Sequence, residues 1–235
     1  RRENDLIAAS FGRGFFILDD YSALRQMTAS SLAEVAALYP VKDALQYNQR
    51  SLIGNQGAGI YAANNPAYGA TFTYHINDDI RAMKAQRKKK EKALNKTNSD
   101  VPFPGWDALL KEQEEEMPKL WFTITDSNGQ IVNRLERPYK KGIQRTTWNL
   151  SHVSKSGISL QTRGGGGRGW RSRGYQVVPG TYTVAMSKEH NGEITALGSP
   201  QSFAVKSIME GALPAQPIAD IHDFRMELND MRGAM

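Results

Sequence analysis

Residues Lys119–Leu150, KLWFTITDSNGQIVNRLERPYKKGIQRTTWNL, decide the fold. Leu120, Phe122 and Ile124 alternate with Trp121, Thr123 and Thr125, the two-residue period of a strand with one buried face. Asp126-Ser-Asn-Gly129 then predicts a turn, because Asn and Gly tolerate the positive φ that a tight hairpin requires. Ile131, Val132 and Leu135 resume as the returning strand, and Gly142–Leu150 supplies a third, with Ile143, Trp148 and Leu150 as its apolar members. Three short strands cannot bury a shared face alone and need a second sheet against it. Val178-Pro-Gly-Thr-Tyr-Thr-Val184 and Gln201–Val205 read as the strands of that second sheet. The expectation is a mainly β chain built as an antiparallel β-sandwich, which names a scaffold and no reaction.

The chain has 235 residues, of which 40% are hydrophobic, with 21 Gly and 10 Pro. That composition predicts many turns and one core of roughly 100 to 130 residues, the size of an antiparallel sandwich, with loosely packed insertions. No run of about 18 apolar residues occurs, so no membrane-spanning helix is expected. The absence of Cys excludes disulfides, thiol catalysis and Cys-ligated zinc.

The N-terminal residues show no signal-peptide pattern, and the C-terminal ones carry helical spacing at Ile218, Ile221, Phe224 and Leu228. Both ends therefore read as positions inside a longer protein. Leu6–Ser10 and Phe15–Leu18 are apolar strands around Phe11-Gly12-Arg13-Gly14, and Asp19-Asp20 ends the second. A lone two-stranded hairpin is marginal in water, so this one is expected to pair with something else.

Asn4-Asp5-Leu6 and Phe11-Gly-Arg-Gly-Phe-Phe-Ile-Leu-Asp-Asp20 resemble the segment that closes the β-propeller of large bacterial sialidase-like (BNR or sortilin-type) repeat proteins. Ala37-Leu-Tyr-Pro-Val-Lys-Asp-Ala44 and Asn65-Pro-Ala-Tyr-Gly-Ala-Thr-Phe-Thr-Tyr74 resemble the linker and first strand of the immunoglobulin-like domain that follows it. Asp126–Gly129, Gly142–Leu150 and Pro179–Val184 continue the likeness in order; that domain is similar to the small sandwich of flagellar hook-capping proteins. The resemblance implies a propeller-closing hairpin over 1–22, a linker over 23–66, and an immunoglobulin-like β-sandwich over 67–206 with a helical insertion at 78–118. Residues 207–235 are left as a tail or helix start. It also implies a periplasmic, outer-membrane-associated or extracellular location. Arg13, Phe15, Phe16 and Trp121 are the expected contacts with the propeller.

The insertion departs from that pattern. Ile80–Ala93 favours helix and is strongly basic, Val101-Pro-Phe-Pro-Gly105 breaks it, and Trp106–Met117 favours helix again with Glu112, Glu114, Glu115 and Glu116. Arg81–Lys96 holds eight basic residues against Glu91, a net +7 that covers the whole chain's +6. The plain reading is a helical hairpin whose oppositely charged arms attract; the sharper one is a polyanion-binding helix. A second departure is Thr162–Tyr175, where Arg163, Arg168, Trp170, Arg171 and Arg173 interleave with glycines. Guanidinium groups there could contact phosphates while Trp170 stacks on bases; the alternative is a flexible loop against a protein subunit or a carbohydrate.

Catalytic patterns are sparse. His75, His152, His190 and His222 lack zinc-site spacing, and Arg163–Arg168 lacks the Lys-Ser/Thr of a phosphate-cradling loop. Asp19 and Asp20 are adjacent on a strand and point to opposite faces, which suits a cap better than an acid and nucleophile pair. No catalytic residue, metal or cofactor is assigned. The expected role is a non-catalytic structural and interaction module whose partner is the propeller of the same protein. Alternatives are a part of a glycoside hydrolase or peptidase-like enzyme with its catalytic residues elsewhere, and RNA or polyanion binding through the Arg/Gly-rich loop. Nucleic acid is the less favoured partner.

Overall fold

The computed structural model describes residues 4–12, 14–48, 66–78, 80–155, 174–208 and 216–234. The chain is mainly β, with strands β1 (Leu6–Ser10), β2 (Gly14–Leu18), β3 (Ala36–Leu38), β4 (Ala44–Gln46), β5 (Ala70–Ile76), β6 (Lys119–Thr125), β7 (Ile131–Pro138), β8 (Gly142–Trp148), β9 (Gly180–His190) and β10 (Glu193–Ser207). Its helices are α1 (Ser22–Gln26), α2 (Ala29–Ala33), α3 (Met83–Lys96), α4 (Trp106–Glu114) and α5 (Ile218–Ala234). The strands form a five-stranded sheet in the order β4-β10-β9-β6-β7, a three-stranded sheet β3-β5-β8, and the separate hairpin β1-β2.

β6 follows its sequence. Leu120, Phe122 and Ile124 are fully buried, while Trp121, Thr123 and Thr125 are half-buried on the other face. The turn to β7 is held by Asp126, whose Oδ1 accepts from the backbone N–H of Asn128 (2.9 Å) and Gln130 (2.8 Å). Gly129 closes it at φ +76°, a conformation that costs glycine little.

The next strand departs from expectation. β8 does not extend the β6-β7 sheet but pairs antiparallel with β5, from Ala70↔Trp148 to Ile76↔Gly142. Tyr139–Lys141 and Gly142, at φ +113°, carry the chain across to the other layer. β9, expected opposite β6, lies beside it instead, with Phe122 across from Met186. β8 carries no apolar alternation that would assign it to a layer: Ile143 and Trp148, both expected on its apolar face, lie five positions apart and so on opposite faces, with Trp148 fully buried and Ile143 50% exposed.

The two layers bury their facing sides against each other in one cluster. Phe72 of β5 stacks on Phe122 of β6 at 5.9 Å between ring centroids, and Tyr74 meets the same ring at 4.9 Å. Trp148 of β8 packs edge-on against Tyr182 of β9 at 5.5 Å and Phe203 of β10 at 6.2 Å. Its indole N–H donates to the Ser151 carbonyl (2.9 Å), so this fully buried ring leaves no unpaired donor.

Residues 23–66 were expected to be a linker. Within the described part, 23–48 and 66, two short strands belong to the sheets instead: β3 pairs antiparallel with β5, and β4 runs parallel to β10 with Ala44 beside Val205. The larger sheet is therefore mixed, not wholly antiparallel.

The insertion forms the anticipated pair of helices. Arg87 of α3 donates through Nε and Nη2 to the two carboxylate oxygens of Glu112 on α4, at 2.7 and 3.0 Å, and through Nη1 to Glu91 at 2.5 Å. Those hydrogen bonds hold the Glu112 carboxyl below its ordinary pKa and raise that of Arg87. Glu115 Oε2 accepts from the Met83 backbone N–H at 2.7 Å. The acidic arm thus satisfies one of the unpaired donors at the start of the basic helix.

Candidate interaction surface

The β1-β2 hairpin is exposed along both of its strands. Its register pairs Leu6 with Leu18, Ile7 with Ile17, Ala8 with Phe16 and Ala9 with Phe15. Residues opposite each other share a face, so Leu6, Ala8, Phe16 and Leu18 line one side while Ile7, Ala9, Phe15 and Ile17 line the other. Both sides are apolar, the pattern of strands buried on two faces. Yet every residue of both strands is exposed: Phe15 by 79%, Ile7 by 65% and Phe16 by 63%. Among the described residues, β1 and β2 pair only with each other, leaving their outer edges open to a further strand.

Among the described residues, the contacts that hold the hairpin lie at its base. Asp5 Oδ1 accepts from the Asp20 backbone N–H (2.9 Å), and Tyr21 N–H donates to the Asn4 carbonyl (2.6 Å). Asp20, at φ +44°, accepts on Oδ1 from the backbone N–H and hydroxyl of Ser22. Arg145 of β8 reaches across with Nη1 on the Asp19 carbonyl (2.6 Å) and Nη2 on that of Asp20. The adjacent aspartates therefore cap and anchor the hairpin, as their spacing indicated. Among the described residues, the hairpin is anchored at one end and leaves a contiguous apolar surface uncovered, the pattern of an interaction surface.

Of the residues singled out for contact, Phe15 and Phe16 lie on opposite faces of this blade. Trp121 belongs to another sheet, half-buried, with its indole N–H donating to Glu189 Oε2 at 2.5 Å. Arg13 and the loop residues Arg163, Arg168, Trp170, Arg171 and Arg173 lie outside the described residues. Among the described residues no three or more His, Asp or Glu side chains gather as a metal site. Nor is any described helix long and apolar enough to cross a membrane.

Sequence reasoning missed one polar cluster. His152, after β8, and His222, on α5, meet with Nε2 atoms 2.9 Å apart. His222 Nδ1 lies 3.3 Å from Asp223 Oδ1. Beside them Asn229, only 2% exposed, accepts from Lys155 N–H on Oδ1 and donates from Nδ2 to the Val153 carbonyl, both at 3.1 Å. Lys155 also pairs with Asp230. The covered face of the helix thus mixes His222 and Asn229 with half-buried Ile221, Met226 and Leu228, while Ile218 and Phe224 are 58% and 61% exposed. Helical spacing identifies the helix, but a single histidine on each partner carries no signal that the two will meet.

No protein-family model matches this sequence, and no curated protein matches it either.

Proposed function

We propose that this chain is a non-catalytic interaction module from the C-terminal part of a sialidase-like β-propeller protein that is secreted or held in the cell envelope. In this reading β1-β2 completes the propeller, the two packed layers are an immunoglobulin-like sandwich that braces it, and the sandwich and its insertion present a further surface. One observation carries the reading: a hairpin apolar on both faces, with both strands exposed throughout and both edges open among the described residues. Covering its phenylalanine, isoleucine and leucine side chains contributes about 1.5–3 kcal/mol each. A propeller blade offers both a sheet edge and two apolar faces. The ordered set of resembling segments from Asn4 to Val184 supports the same context.

Hydrogen exchange tests it directly. In the chain alone, backbone amides of 6–10 and 14–18 exchange fast; in a chain extended through its preceding residues, they become strongly protected. Slow exchange of the hairpin in the unextended chain, or no gain on extension, overturns the reading.

A further inference from the structure

His222 and Asn229, one heptad apart on α5, lie on the face held by His152, Val153 and Lys155. Phe224 and Met231, also one heptad apart, are 61% and 53% exposed. At about 100° per residue the second pair stands roughly opposite the first, so docking leaves it uncovered. Half-buried Ile221 and Leu228 complete the spacing 221-224-228-231, whose alternating steps of three and four put four apolar side chains on one stripe. They stand at the border of the covered face, since exposed Arg225 lies between them and Asn229 around the helix. The two flanks of the stripe carry opposite charge. Asp220 and Glu227 run along one side and Arg225 along the other, all exposed and, among the described residues, in no ion pair. Arg232 repeats the register position of Arg225 one heptad on in the sequence. With Ile221 and Leu228 at heptad position a and Phe224 and Met231 at d, the acids occupy g and the arginines e.

We propose that α5 pairs with α5 of a second copy of this chain, parallel and in register, through Ile221, Phe224, Leu228 and Met231. The inference is independent of what covers the hairpin. In a parallel pair each g residue faces the e residue five positions later on the partner. Asp220 and Arg225 have that separation, and Glu227 and Arg232 repeat it, so acid meets base along both seams. An antiparallel pair sets g against g and e against e, which brings acid to acid and arginine to arginine. The charge pattern therefore selects both the occupant and its direction. An apolar partner of another kind uses the stripe but leaves the flanks without a role. Two heptads are short for isolated helices, because nucleation opposes them. Here the sandwich already holds each helix of 17 residues in place, so pairing starts from formed helices.

Sedimentation velocity of the full chain across a concentration series tests the pairing, with a monomer–dimer equilibrium expected. Phe224→Asp with Met231→Asp is expected to leave a monomer throughout; both side chains are exposed, and circular dichroism checks that the variant folds. Phe15→Asp with Phe16→Asp on the hairpin is expected to change the dimer constant by no more than about twofold. Arg225→Glu should weaken the dimer at least about fivefold, because it sets Glu against Asp220 on both seams. Asp220→Lys added to Arg225→Glu reverses the pair and should restore association. Direction is read from cross-linking. The chain has no Cys, so Met231→Cys introduces the sole thiol, which meets its own counterpart only in a parallel pair. Its disulfide dimer is expected to form at least about tenfold faster than that of Ile194→Cys, an exposed position on β10. A monomer at every concentration, a dimer that survives the two α5 aspartates, no recovery in the charge-swapped variant, or equal cross-linking at the two cysteines overturns the proposal.

Discussion

His152 and His222, which lie 70 residues apart in the chain, face each other with Nε2 atoms separated by 2.9 Å and latch α5 onto the segment after β8. Such a contact needs one ring to donate and the other to accept, so at least one must be neutral. Burial, reinforced by the neighbouring His222, lowers the pKa of His152 from 6.5 to about 4, against a smaller opposing pull from Asp126. Asp223 beside His222 and the Lys155–Asp230 pair complete the charged surroundings. A base with a depressed folded pKa contributes stability that is fully present above its unfolded value and lost as pH falls toward the folded one. Docking of α5 should therefore weaken from about pH 6.5 down to about pH 4. Amide exchange across 218–234 measured over that range should accelerate on acidification, and His152→Gln should flatten the response. An unchanged profile in the variant would remove the latch.

Gly69 enters β5 at φ +120°, and a Cβ at that position would stand 1.8 Å from the Trp148 carbonyl oxygen. Neither the backbone conformation nor the space admits a side chain. Gly69→Ala must displace either the start of β5 or the end of β8, at the Ala70↔Trp148 pair. Thermal unfolding is expected to shift down by several degrees or more. Gly192→Ala provides the comparison, since its φ of +77° is strained but nothing lies within 4 Å of the added carbon.

How much of this was legible depended on the range of the interaction involved. β6, its turn and β7 could be read from Leu120–Leu135 because pleat and turn chemistry both act over a few residues. The two insertion helices were legible for the same reason, with Pro102, Pro104 and Gly105 separating arms of opposite charge. The hairpin over 6–18 was visible too, as two apolar runs around glycines. The allocation of β8 and β9 to layers was not, since β8 has no apolar alternation and that of β9 leaves its neighbouring strand unspecified. β3 and β4 have three residues each, too few for any period to register. Their partners β5 and β10 lie dozens of residues away, and β4 pairs parallel to a strand about 160 positions later. α5 was legible as a helix but not in its orientation, because the covered face takes in His222 and Asn229 beside Ile221 and Leu228 and leaves Ile218 and Phe224 exposed.

The cross-layer aromatic cluster predicts the largest losses. Phe122 touches both Phe72 and Tyr74 from the opposite layer and is fully buried. Truncation removes its transfer free energy and leaves a cavity between two rigid sheets that cannot collapse onto it. Phe122→Ala should cost about 3–5 kcal/mol, measured by urea unfolding, whereas Phe122→Leu should cost less than half of that. Exposed Ile143, on the same strand as Trp148 but 50% accessible, provides the control. Ile143→Ala should fall within about 0.5 kcal/mol of the parent. Comparable losses at the two positions would mean that the layers are not packed through Phe122.

Tyr39 presents the opposite case, a buried group whose removal should help. It follows β3 on the outer side of the three-stranded sheet, 4% exposed and packed with Ala23, Ala37 and Met27. Its hydroxyl has no hydrogen-bond partner among the described residues, and the same holds for Nδ1 of His75, 7% exposed on β5. A buried hydroxyl without a partner keeps its desolvation cost, of order 1–3 kcal/mol, with nothing to offset it. Tyr39→Phe retains the ring and deletes only the oxygen, so the variant should be more stable than the parent by about 1 kcal/mol. Urea unfolding at neutral pH reads this as a higher midpoint with an unchanged slope. Destabilisation by Tyr39→Phe would show that the hydroxyl is paired in solution, and the account of this part of the sheet would then have to change.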